Sequence, residues 1–198
     1  IENSKALKIW KDNKKRILEN LQLLDKIDFW ENVTDIKNDP VQEIYINIKS
    51  LLRSELVQEL NEILKDKFIL IGSNWKKIYP NALESNYSNK YIEEIYRGNI
   101  CIDFGSKNSD KCIYPRTCQI IESGGLLFQS AHQDSKDIFK DLFTKTCFVS
   151  LQDMKEKINF FLNNSDELES LFLMQQKNFE TEDLNYKTIK KIESFVNR

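Results

Sequence analysis

Residues 114–130 read Tyr-Pro-Arg-Thr-Cys-Gln-Ile-Ile-Glu-Ser-Gly-Gly-Leu-Leu-Phe-Gln-Ser, and this order of residue types leaves a chain few choices. Proline suits the first turn of a helix, where its missing amide hydrogen costs nothing, and paired glycines end a helix readily. The apolar run after them, closed by Gln129 and Ser130, has the look of a strand buried on both faces. A short helix feeding such a strand is half of a parallel α/β unit. The first-turn amides of that helix, with Arg116 beside them, offer a resting place for a phosphate.

The same alternation recurs on either side. The run 68–71, closed by Gly72, reads as a first strand, and 90–97 as a short helix ending at Gly98. Residues 100–104 follow as a strand, 126–129 as the next, and 147–149 as a fourth. Helices are expected over 135–142 and over 151–162, where Met154, Ile158, Phe161 and Leu162 should face inward. Four strand-to-helix steps predict an α/β fold: a Rossmann-like, doubly wound parallel sheet of about four strands. Before it, apolar residues at helical spacing over 5–30 (Leu7, Trp10, Ile17, Leu21, Leu24 and Ile27) and over 41–64 predict a pair of amphipathic helices, separated by Asp39-Pro40. After it comes a helical tail, with Ser165 as N-cap and a last helix over 183–196. The expected division is a helical segment over 1–66, packing on the sheet or on a partner, and a Rossmann-like domain with carboxyl-terminal helices over 67–198.

Charge narrows the range of partners. The 198 residues carry 29 Lys plus Arg against 31 Asp plus Glu, a net charge of -2, so no broad field invites nucleic acid. Any anion site must be local. Cys101, Cys112, Cys118 and Cys147 lack the paired spacing of a zinc site and read as reduced, mostly buried thiols of a cytoplasmic protein. No run approaches a membrane span and no signal-peptide core is visible at residue 1.

Several features have a plain reading beside a chemical one. Asp103-Phe104-Gly105 spells a kinase magnesium tripeptide without any of the motifs that give it meaning. His132, the single histidine, sits just after a predicted strand, where open sheets bind ligands, and otherwise reads as an exposed loop residue. Arg116 gains nothing from the helix dipole at a helix start, so it answers either a phosphate or a neighbouring acid. Gly124 and Gly125 terminate a helix and would also let a ligand approach the backbone. No metal site is expected, since histidine pairs and acid clusters are missing. Gly72-Ser73-Asn74-Trp75 is not a phosphate loop, which argues against a flavodoxin-like regulatory domain.

Three stretches, taken in order, carry a resemblance: 69–75 (Ile-Leu-Ile-Gly-Ser-Asn-Trp), 96–104 (Tyr-Arg-Gly-Asn-Ile-Cys-Ile-Asp-Phe) and 116–125. Together they resemble the carboxyl-terminal half of CgeB-type, group-1-like glycosyltransferases of GT-B architecture, over roughly 41–171. The resemblance implies a metal-independent enzyme that moves a sugar from a nucleoside diphosphate to an unknown acceptor. It needs no cofactor beyond that donor. It places the donor against Arg116, Thr117, Gln119, Glu122, Gly124, Gly125, Gly72, Trp75 and His132. Gln119 stands where the family usually carries the glutamate that grips the donor ribose, and Lys111 where relatives carry another. Glu122, three residues on, is the nearest carboxylate on the helix. The resemblance also implies an acceptor wall from an amino-terminal domain or a partner subunit. The alternative is a non-catalytic relative that binds a nucleotide or acts as a scaffold.

Overall fold

The computed structural model describes residues 4–72, 75–84, 90–105, 115–132 and 135–181. Three strands form the sheet: β1 (Ile100–Asp103), β2 (Leu126–Ser130) and β3 (Cys147–Phe148), in the order β1-β2-β3 and all parallel. The register sets Ile102 beside Phe128 and Gln129 beside Cys147. Between β1 and β2 lies α5 (Pro115–Glu122), and between β2 and β3 lie α6 (Ser135–Phe139), a 3-10 turn and α7 (Phe143–Thr146). The α/β character, the parallel pairing and the predicted helix over the organising stretch are all present.

Successive side chains of a strand point to opposite faces, and this divides the sheet cleanly. Phe128 meets Phe148 at 5.2 Å and Phe161 of α8 (Leu151–Asn163) at 6.1 Å between ring centres. On the other face Gln129 reaches Thr117 of α5 and Ser135 of α6. Helices therefore cover both faces. Burying Phe128, Phe148, Leu126 and Leu127 completely removes enough apolar surface to contribute about 1.5–3 kcal/mol per side chain.

β3 is only two residues long, so the β3-side edge of β2 lacks a strand beside Leu127. The Gln175 side chain of α9 (Ser165–Thr181) fills that place. Its oxygen accepts from the Leu127 amide at 2.8 Å and its nitrogen donates to the Leu127 carbonyl at 3.2 Å. A side-chain amide thus stands in for a missing length of strand.

The expected first strand, 68–71, is not a member of the sheet. Only Ile71 forms a bridge, and it does so with Leu83. The Leu70 carbonyl and Gly72 amide are both taken by Leu83, and Ile69 is 57% exposed, unlike a strand inside a sheet. Gly72 ends the segment at a φ of 153°, with Trp75 packed so closely that a Cβ there would stand 2.9 Å from its ring. The sharp turn consumes the hydrogen bonds that would have joined β1.

The amino-terminal pair of helices becomes three: α1 (Ser4–Glu19), α2 (Ile27–Val33) and α3 (Val41–Leu64), with a 3-10 turn at Leu21–Asp25. The helix expected over 5–30 breaks at Asn20, whose backbone turns extended and whose side chain accepts from the Gln22 amide at 3.1 Å. Ile27, placed in the apolar stripe by its spacing, is 70% exposed, while Trp30 anchors by donating its indole hydrogen to the Leu24 carbonyl. α3 matches its expected bounds. Its residues Ile44, Ile48, Leu52, Leu56 and Leu60 join one apolar cluster with the sheet. In α8, Met154, Ile158 and Phe161 are buried, but Leu162 turns outward at 44% exposed. α4 (Lys90–Tyr96) ends before Gly98 as its sequence suggests. The predicted helix over 183–196, Lys111 and Cys112 lie outside the described residues. No described helix is long and apolar enough to cross a membrane.

Candidate functional site at the carboxyl edge of the sheet

Two polar constellations form where the strands end, one on each face. The first is on the α5 face. Asp103, the last residue of β1, is 3% exposed, and its Oδ1 accepts from the Gly105 amide at 3.1 Å and lies 3.5 Å from Arg116 Nη1. Its Oδ2 has no hydrogen-bond partner among the described residues. Beside the pair, Thr117 sits 3.5 Å from the Gln129 side-chain oxygen, and Gln129 donates to Ser135 Oγ at 3.1 Å. Ser135 in turn accepts from the His132 amide at 2.9 Å. Asp103, Thr117, Gln129 and Ser135 are all buried. Buried polar groups of this kind are tolerated only when they satisfy one another.

The second constellation is a cleft of about 370 Å³ on the α3 face, between that helix and the strand ends. Lys49 and Arg53, one helical turn apart on α3, line it with Phe104 after β1 and His132 after β2; Asp25 supplies a carboxylate. Lys49 is 7% exposed and lies 5.7 Å above the Tyr45 ring, whose hydroxyl approaches Asp25 at 3.4 Å. Arg53 donates to the Gly105 carbonyl, the same residue whose amide binds Asp103. Leu21, Leu52 and Leu56 supply apolar wall, which strengthens any charge interaction inside.

Each residue singled out by sequence can now be placed. Arg116 and Thr117 are together at the start of α5, and the acid facing Arg116 is Asp103. Gln119 is half-buried in the middle of α5, and Glu122 is exposed at its end. Gly124 adopts a φ of 80° and closes the helix; its carbonyl accepts from the Gly98 amide. Gly125 has a packing reason, since a Cβ there would stand 2.8 Å from the Tyr96 carbonyl oxygen and 3.1 Å from Cys101 Sγ. Gly72 and Trp75 pack on each other and do not line the cleft. His132, read as an exposed loop residue, is instead 4% exposed, because the chain after β2 turns under α3. Cys147 is buried and Cys101 and Cys118 are half-buried; burial pushes the Cys101 and Cys147 thiols up to about 12. No group of acids, cysteines or histidines suited to a metal ion occurs among the described residues.

Sequence reasoning missed Lys49, Arg53 and Asp103. Lys49 and Arg53 carry a visible signal, two cations four residues apart on the same side of α3 as Leu52 and Leu56. Asp103 was set aside with its tripeptide.

A parallel sheet with cationic side chains gathered at its carboxyl edge is suited to holding phosphorylated ligands. A family model described as glycosyl transferase-like matches residues 52–192, more than half of the chain. The chain belongs to this glycosyl transferase-like family. Neither a curated protein nor a solved structure matches it. Within the glycosyltransferase-like span lie all three strands, Arg53, both members of the Asp103–Arg116 pair and His132. Lys49, Asp25 and the helices α1 and α2 precede it.

Proposed function

We propose that this glycosyltransferase-type domain is the donor-binding half of a GT-B, CgeB-type enzyme that holds a nucleoside diphosphate sugar across the carboxyl edge of the sheet. The observation that carries the reading is a cationic cleft at that edge in a chain of the glycosyl transferase-like family. In sugar transfer the bond from the anomeric carbon to the diphosphate breaks, and the electron pair leaves with the diphosphate oxygen. Cations fixed at that oxygen stabilise the developing charge without rearranging. Arg116, with five donors, can keep Asp103 and still offer hydrogen bonds to a phosphate. Gln119 would contact the ribose as a neutral partner. The acceptor and the base that activates it belong to a further domain or partner subunit, so the 198 residues alone bind donor without turning it over.

A second reading, a non-catalytic scaffold of the same fold, is favoured by Gln119 in place of a glutamate and by the internal acid on Arg116. Thermal denaturation separates the two. Uridine or guanosine diphosphate at 100 times its dissociation constant should add about 2.7 kcal/mol of stability and raise Tm. A panel of nucleoside diphosphates and nucleotide sugars that leaves Tm unchanged at millimolar concentration selects the scaffold.

A further inference from the structure

The amino-terminal helical segment touches the end of each strand. The Leu21 amide donates to the Val149 carbonyl just past β3 at 2.9 Å, and the Gln22 side chain donates to the Ala131 carbonyl just past β2 at 3.4 Å. Arg53, at the border of the family span, donates to the Gly105 carbonyl past β1. These contacts stitch the 3-10 turn and α3 across the carboxyl edge, the place where an open α/β sheet receives its ligand. What remains between them is the cleft, and α3 lines it with Lys49 and Arg53.

From this we infer that the amino-terminal helical segment is itself one wall of the ligand site, with Lys49 and Arg53 of α3 receiving the phosphate groups of a nucleoside diphosphate against the strand-end residues 130–132. The inference rests on the donor reading above and adds to it the source of the second wall.

Two observations support it. The charged lining of the cleft is unbalanced toward cations: Lys49 and Arg53 against Asp25. The walls between those groups are Leu21, Leu52, Leu56 and Phe104, so charges act there through a medium poorer in water than the surface and attract an anion more strongly. Spacing contributes too. Lys49 and Arg53 are four residues apart on a helix, which places both heads over one strip of the cleft, as two neighbouring phosphates require.

The test uses the full 198-residue chain and isothermal titration with three probes: uridine diphosphate, inorganic pyrophosphate and uridine. Lys49→Met keeps the length and the apolar stem of the side chain, and far-UV circular dichroism and Tm confirm folding. Arg53→Gln is compared with Arg53→Lys, which preserves the charge. The expected result is a loss of about 10- to 100-fold in uridine diphosphate and pyrophosphate affinity for Lys49→Met and Arg53→Gln, with Arg53→Lys retaining most of it. Affinity of the wild type should also fall with added salt, less steeply in Lys49→Met. If the wild type binds uridine diphosphate and all three variants match it within twofold, the α3 wall is wrong and the donor reading survives. Pyrophosphate binding that depends on Lys49, without any nucleotide binding, keeps the cleft and removes the donor reading. A wild type that binds neither overturns both.

Discussion

The two faces of the carboxyl edge hold similar residues arranged to opposite ends. On the α5 face, Arg116 faces Asp103, Thr117 and Ser135 meet Gln129, and Gly125 lets Tyr96 approach too closely for any larger residue. The polar groups there answer one another. On the α3 face, Lys49 and Arg53, which also hold Tyr45 and the Gly105 carbonyl, line a cleft together with His132. A cation held by an internal acid fixes a fold, whereas cations grouped around a cleft create a local field that a ligand can use. The difference predicts that substitutions on the first face lower stability and that substitutions on the second lower affinity.

The largest effect on stability should come from Gln175→Leu, at the β3-side edge of β2. It strips both backbone partners from Leu127 inside the core, at about 1–3 kcal/mol for each unsatisfied group, so urea unfolding should show a loss of about 2–6 kcal/mol. An unchanged midpoint would mean that the edge of β2 finds other partners.

Next is Arg116→Met. Removing the guanidinium takes the opposite charge from a buried carboxylate, so urea unfolding should show a loss of about 1–3 kcal/mol. Asp103→Asn should cost less, because Arg116 has a 38% exposed side chain and can turn to water. Equal losses, or a larger loss for Asp103→Asn, would break the asymmetry that burial demands. Lys49→Met, by contrast, should leave stability within about 1 kcal/mol, since replacing a buried charge with an apolar side chain of similar volume is often neutral.

Much of the α5 face was legible in sequence. Pro115, the glycine pair and the run 126–129 specify helix, stop and strand locally, and the structure follows them nearly residue for residue. The α3 face was less so. The helix itself could be read to its bounds, but its position across the strand ends depends on tertiary contacts from Leu21, Gln22 and Arg53 that no local pattern encodes. The lost first strand has the same cause. The composition of 68–71 suits a strand, yet Gly72 and Trp75 bend the chain so that Leu83 takes its hydrogen bonds. Gln175 reads as one more polar residue on an amphipathic helix, and nothing local shows that β3 would be too short to pair Leu127.

A further effect concerns pH. The Cys101 and Cys147 thiols are raised by burial from an ordinary value near 9 to about 12, so the folded chain keeps protons that the unfolded chain releases between those values. Stability is therefore unaffected by these thiols below about pH 9 and declines as pH rises from there toward 12. Urea midpoints measured from pH 8 to 10.5 should show the decline, and Cys147→Ala should flatten it. A midpoint that rises over this interval would contradict the assignment.

Hydrogen exchange on the full chain, with and without saturating uridine diphosphate, tests the central claim most directly because it reports both faces at once. Slowed exchange in α3 around Lys49 and Arg53 and at residues 130–132, together with the start of α5, is the predicted result. Protection restricted to α5, or none in the presence of ligand at millimolar concentration, would contradict a donor site walled by the amino-terminal helices.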